Sequence, residues 1–186
     1  MKRIISVVCL LVLLLTGCAN AGDSLDRAMA LRTKLLSQAV SFDVEITADY
    51  GDRLYTFSMA CQVDAQGKLT FTVHEPLSIA GITGSVEASG GKLTFDDQAL
   101  SFALLADEQV TPVSAPWLLL RTLRSGYLTS CGEEGGKVRI AIDDSYEEDA
   151  LHLDIWLDEN DLPQRGEILW QGRRILSVSV TNFVFV

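Results

Sequence analysis

From residue 42 the chain alternates strictly between apolar and polar side chains, and nothing else in it restricts the fold so tightly. Phe42, Val44, Ile46, Ala48 and Tyr50 fall on one side, with Asp43, Glu45, Thr47 and Asp49 on the other. A period of two belongs to a strand with one buried face, whereas a helix would scatter these side chains around its circumference. Gly51-Asp52 turns the chain, and Tyr55, Phe57, Met59, Cys61 and Val63 repeat the alternation. The run from Asp64 to Gly67 turns it again into Leu69, Phe71 and Val73. Strand signals continue around 82–86, 93–95, 100–104, 127–133, 138–143, 151–158, 164–171 and 173–181. Short turns join antiparallel neighbours. The expected fold class is therefore α+β, with about ten or eleven strands in one large curved antiparallel sheet that has a single apolar face.

Two helices interrupt the pattern. Residues 23–40 carry Leu25, Ala28, Met29, Leu35, Leu36, Ala39 and Val40 at three- and four-residue spacing, with Asp23 or Ser24 as N-cap. Residues 114–126 carry Ser114 as a cap, Pro116 in the first turn, Arg121 and Arg124 late, and Gly126 as a stop. Trp117, Leu118, Leu119, Leu120 and Leu123 make this second helix apolar around much of its circumference, so it needs burial on more than one side. It is expected to plug the mouth of a half-barrel as a lid.

Ahead of the first helix stand Lys2 and Arg3, an apolar run from Ile4 to Leu15, and Thr16-Gly17-Cys18. The run is shorter than the roughly 20 apolar residues of a membrane span, and reads as a secretory signal over residues 1–17. Leu15-Thr16-Gly17-Cys18 resembles the bacterial lipobox. That resemblance implies cleavage before Cys18, acylation of its thiol and a tether over 18–22, leaving one domain over 23–186. The bland reading is an ordinary or uncleaved signal with an incidental cysteine. Loss of Lys2 and Arg3 leaves 13 basic residues against 25 acidic ones. That balance argues against nucleic acid and against flat adsorption on anionic lipid, so the domain is expected to ride on its tether.

The chain as a whole resembles the LolA/LolB superfamily of lipoprotein carriers. The resemblance is carried by the helix before the first strand, by HEPLSIAGITGSV at 74–86, by the helix inserted mid-sheet, and by the late hairpin DIWLDENDLPQRGEILWQGRRIL at 154–176. It implies an incomplete antiparallel barrel with a helical lid over an apolar cavity. Acylated relatives include receptors and GerS-like germination lipoproteins. A membrane-anchored lipoprotein that holds a lipid or a lipoprotein acyl chain is the implied function. The alternative is an interaction lipoprotein of the envelope or spore cortex that uses the fold as a closed scaffold. Either would be a monomer on the outer face of a cell membrane, or on an outer membrane in a diderm cell.

Motifs of catalysis are not evident. His74 and His152 belong to no HExxH, and no GxSxG, P-loop or Rossmann fingerprint occurs. No enzyme, metal or cofactor is expected. The acidic run 143–149 lacks the glycine and spacing of a calcium loop and reads as a charged hairpin turn. Cys61 and Cys131 are the domain's cysteines, and in an exported protein they are expected to form a structural disulfide, with two unpaired buried thiols as the alternative. Phe57, Met59, Phe71 and Phe95, with Trp117, Leu119, Leu120 and Leu123 of the lid, are the candidate ligand-binding residues. A filled core would use the same residue types.

Overall fold

A computed structural model describes residues 19–51, 53–95, 98–102, 105–106 and 109–186. The signal segment and Cys18 lie outside the described residues, as does the 103–104 end of one expected strand.

The chain begins with α1 (Ala19–Ser37), followed by β1 (Val40–Asp49), β2 (Leu54–Val63), β3 (Leu69–Glu75), β4 (Thr83–Glu87), β5 (Gly90–Phe95) and β6 (Gln98–Phe102). Two short strands, β7 (Leu105–Ala106) and β8 (Gln109–Val110), lead through a 3-10 turn at Pro112–Ser114 into α2 (Ala115–Ser125). Five strands complete it: β9 (Tyr127–Glu134), β10 (Lys137–Asp143), β11 (His152–Leu157), β12 (Pro163–Trp170) and β13 (Arg173–Phe185).

Among the described residues eleven strands form one sheet in the order β6-β5-β4-β3-β2-β1-β13-β12-β11-β10-β9. Two antiparallel meanders are thus joined at the β1–β13 pair, and the sheet stays open between β6 and β9. This is the large curved antiparallel sheet expected from the alternation, open along one side as the resemblance implies. Along β1, burial follows the predicted period, with Val40, Phe42, Val44, Ile46 and Ala48 all buried. The same face continues through Met59, Leu69, Ile140, Ile142, Leu153, Ile155 and Ile168, and both helices pack on it.

α1 differs from expectation at both ends. It begins at Ala19, so residues 19–22 are helical, and it stops at Ser37, with Val40 opening β1. Its buried stripe is Ser24, Ala28, Leu31 and Leu35, the i, i+4, i+7, i+11 series. Leu25, Met29 and Leu36, expected in the core, are exposed. One narrow stripe suffices because α1 lies over β9 and α2 without being enclosed. None of the described helices is long and apolar enough to cross a membrane.

The expected Cys61–Cys131 disulfide is not formed; both are free thiols. Cys61 sits on β2 and Cys131 on β9, with five strands between them in the sheet. Strands spaced about 4.8 Å apart cannot bring these Cα atoms to the roughly 4.4–6.8 Å that a disulfide spans, and the helices occupy the space inside the curve.

Candidate functional site

The site is built around α2. Pro112 and Pro116 set its start, and Trp117, Leu118, Leu119, Leu120 and Leu123 are all buried. One side of the helix meets β10, β11 and β13, and another meets α1. Leu119 also reaches β12 at Gly166, where a Cβ would lie 2.6 Å from its Cδ1 and would push that methyl group aside.

Side-chain hydrogen bonds to backbone carbonyls fasten the helix. Arg32 of α1 donates from Nε to the Leu123 carbonyl at 2.7 Å and from Nη2 to the Gly126 carbonyl at 3.0 Å. These carbonyls end the helix and have no partner within it, so a cation there satisfies them and the negative end of the macrodipole together. Burial lowers the Arg32 pKa, yet a guanidinium stays charged in proteins. From α2 itself, Arg124 donates to the Ala65 carbonyl at 2.7 Å and the Asp64 carbonyl at 3.3 Å. The Trp117 indole N–H donates to the Gly67 carbonyl at 3.0 Å. The helix is therefore tied to the β2–β3 turn from both of its ends, through Trp117 and Arg124, and to α1 at its C-terminal end.

Of the candidate ligand-binding residues, the fold gathers Phe57, Met59, Phe71, Trp117, Leu119, Leu120 and Leu123 into one apolar core beneath and within α2. Met59 and Leu119 have no exposed surface, so the interior is closely packed around them. Phe95 stands apart on the β5–β6 turn, 53% exposed. It shares that end of the sheet with Tyr50, Leu54 and Tyr55 at the β1–β2 turn and with Leu77 and Ile79 between β3 and β4, all exposed.

Open space lies at the margins of the core. A pocket of about 270 Å³ opens at the end bearing the β1–β2 and β12–β13 turns. Tyr50, Val110, Trp170, Ile175 and Leu176 form its walls, with Asp49 and Arg173 at the rim. A register shift between Ile168 and Leu169 pairs Trp170 with Arg173 and brings both to this pocket. Val110 ends β8 and is followed by the 3-10 turn at Pro112–Ser114 that opens into α2, so the pocket adjoins the segment that leads into this helix. A second pocket, of about 590 Å³, lies at the other end against α2, α1 and the β2–β3 turn.

His74 is exposed on β3, while the His152 ring nitrogen Nδ1 lies 2.7 Å from Asp143 on the outer face. Among the described residues no group of three or more His, Cys, Asp or Glu is placed to hold a metal ion. In the acidic run, Asp144 accepts from the Leu151 N–H at 2.9 Å and closes the β10–β11 loop. The residues that sequence reasoning missed are Arg32, Gly67, Val110 and Gly166. Arg32 had one signal, a long cation on a helix otherwise placed over the core; the others act through contacts that no local pattern encodes.

No family model and no curated protein sequence matches the chain. Solved structures do resemble it. An uncharacterised conserved protein from Thermus thermophilus is 11% identical over 89% of this chain and 87% of that one, with a TM-score of 0.47. A LolA superfamily protein from Nitrosomonas europaea is 9% identical over 89% and 93%, with a TM-score of 0.43. The Mycobacterium tuberculosis lipoprotein LppX is 13% identical over 87% and 93%, with a TM-score of 0.42. These likenesses lie in how the chain is laid out, and they carry no weight for what it binds.

Proposed function

We propose that this chain is a non-catalytic envelope lipoprotein, held on a membrane through acylated Cys18, that binds a lipid or protein-borne acyl chain between sheet and lid. One observation carries the reading: α2 buries an almost wholly apolar surface on the sheet and is fastened there by side-chain hydrogen bonds to backbone carbonyls. The 270 Å³ pocket beside Val110 gives a chain its starting point. As α2 lifts, each methylene entering would replace a lid contact worth about 0.8 kcal/mol with an equivalent one. Phe57, Met59, Phe71, Leu119, Leu120 and Leu123 would then line the enlarged cavity, with Trp117 swinging out. The exposed apolar end formed by Leu54, Leu77 and Phe95 would guide the chain in. A closed scaffold that docks an envelope protein is the second reading, and the tight packing at Met59 and Leu119 favours it.

Native mass spectrometry of protein purified without detergent or refolding distinguishes the two. Carrier function expects a co-purifying lipid, and binding of an added fatty acid that Leu119→Phe weakens more than it lowers the urea midpoint. A chain with no bound lipid, in which Leu119→Phe lowers the midpoint alone, would leave the scaffold standing.

A further inference from the structure

Around the 590 Å³ pocket the charge of the molecule is reversed. Lys68 from the β2–β3 turn and Arg121 and Arg124 from α2 all line it, against a single acid, Glu87. Elsewhere acids outnumber bases almost two to one, so three cations about one cavity run against the composition. Glu87 is already engaged, accepting from Ser89 Oγ at 2.8 Å. Arg124 is held by the Asp64 and Ala65 carbonyls, but Lys68 and Arg121 are exposed. The Arg121 guanidinium stands 5.2 Å over the Trp117 ring, which fixes its direction.

Apolar side chains line the pocket beside the cations: the exposed Leu36, and the edges of the largely buried Trp117, Leu120 and Val63. Cations beside an apolar lining match an amphiphile: a charged head meets the guanidinium and ammonium groups, and the first part of its chain covers the indole and leucines. A guanidinium offers paired N–H donors to a phosphate or carboxylate. The volume falls within the roughly 300–1,000 Å³ usual for ligand pockets.

We infer that this pocket is a binding site for an anionic amphiphile, a single-chain lipid bearing a phosphate or carboxylate head. The site goes beyond the carrier reading because it lies on the α2 side that carries Arg121 and Arg124, away from Gly166, where Leu119 meets the sheet. A membrane lipid or a free lipid could supply the ligand, and the chemistry is the same.

The test uses the full chain in its Cys18→Ser form, titrated by calorimetry with dodecyl phosphate, dodecanol, inorganic phosphate and dodecyltrimethylammonium. The backbone amide resonances of Ala88 and Ser89, which line this pocket from the turn after β4 and lie outside α2, report its occupancy. Dodecyl phosphate should bind at least tenfold tighter than dodecanol or inorganic phosphate and shift those resonances, while the cationic amphiphile should not shift them. The double variant Lys68→Gln/Arg121→Gln should remove the preference for the phosphate head, and Arg121→Glu should reverse it. Equal binding of dodecyl phosphate and dodecanol, with the Ala88 and Ser89 signals unmoved, would overturn this site while leaving the acyl pocket in place. Inorganic phosphate binding as tightly as dodecyl phosphate would reduce the site to a bare anion patch and overturn the amphiphile. If no long-chain probe binds at all, both this site and the carrier reading fail.

Discussion

Cys61 shows how burial alone sets the chemistry of a side chain. It points into the core between Phe42 and Phe71 on neighbouring strands, and desolvation, with a smaller contribution from Asp43, pushes its thiol far above the ordinary range. Burial raises Cys131 as well, offset in part by Arg27 and the Gly132 backbone. Neither is poised as a nucleophile. The native state keeps the Cys61 proton at a pH where the unfolded chain, with a thiol near 8.5, has released it. The unfolded state then binds fewer protons, so stability is complete below about pH 8.5 and falls above it, by about 1.4 kcal/mol per pH unit. Urea unfolding at pH 7.5 and 9.5 should show that loss, with Cys131 adding to it in the same direction, and Cys61→Val should remove most of it. Alkylation of the native protein should label Cys131 before Cys61; the reverse order would contradict the burial.

At the scale of elements, α2 is a helix whose place is decided by its neighbours. Its leucines would bury themselves against any apolar face, and it is Arg32, Arg124 and the Trp117 indole that hold it to this one. Arg32 bridges two elements nearly a hundred residues apart in sequence, and removing it leaves the Leu123 and Gly126 carbonyls without their charged donor. Hydrogen bonds to charged groups contribute roughly 1.5–3 kcal/mol. Arg32→Met keeps most of the apolar stem and should therefore speed amide exchange across α2 by about ten- to a hundredfold, with the central strands β1 and β13 changing less. Exchange that rises equally in α2 and in β1 would mean that the helix opens only with the whole sheet, and would count against a lid.

At the scale of the whole molecule, the described residues form an open sheet with two helices on one face, and the proposed anchor lies outside them. α1 is helical from Ala19, the residue that follows Cys18 in the sequence. An acylated Cys18 would hold the first turn of α1 at the membrane surface. Each buried methylene contributes about 0.8 kcal/mol, so two or three chains suffice for stable anchoring. Cys18→Ala should release the protein from membranes after a high-salt wash while its unfolding midpoint stays unchanged. Continued membrane fractionation of that variant would mean that something other than the acyl group holds it.

Much of this was legible in the one-dimensional pattern. The period of two between 42 and 63 determined the strands of β1 and β2 and which side chains face inward, because a strand's geometry alternates whatever it packs against. The apolarity of 117–123 around much of the helix circumference determined that this helix must be covered on more than one side. Other features belonged to the tertiary structure alone. Leu25 and Leu31 of α1 look equally apolar in sequence, and only the position of β9 and α2 beside the helix decides that Leu31 is buried and Leu25 is not. Cys61 and Cys131 looked like a pair until sheet order set five strands between them. Gly166 reads as a gap in a strand, and becomes a contact point of α2 only when Leu119 is brought against it. Lys68, Arg121 and Arg124 are scattered cations in an acidic chain, and only the fold makes them one site. Periodicity is a property of the local backbone and can be read residue by residue, whereas these juxtapositions depend on distances between segments that no local pattern contains.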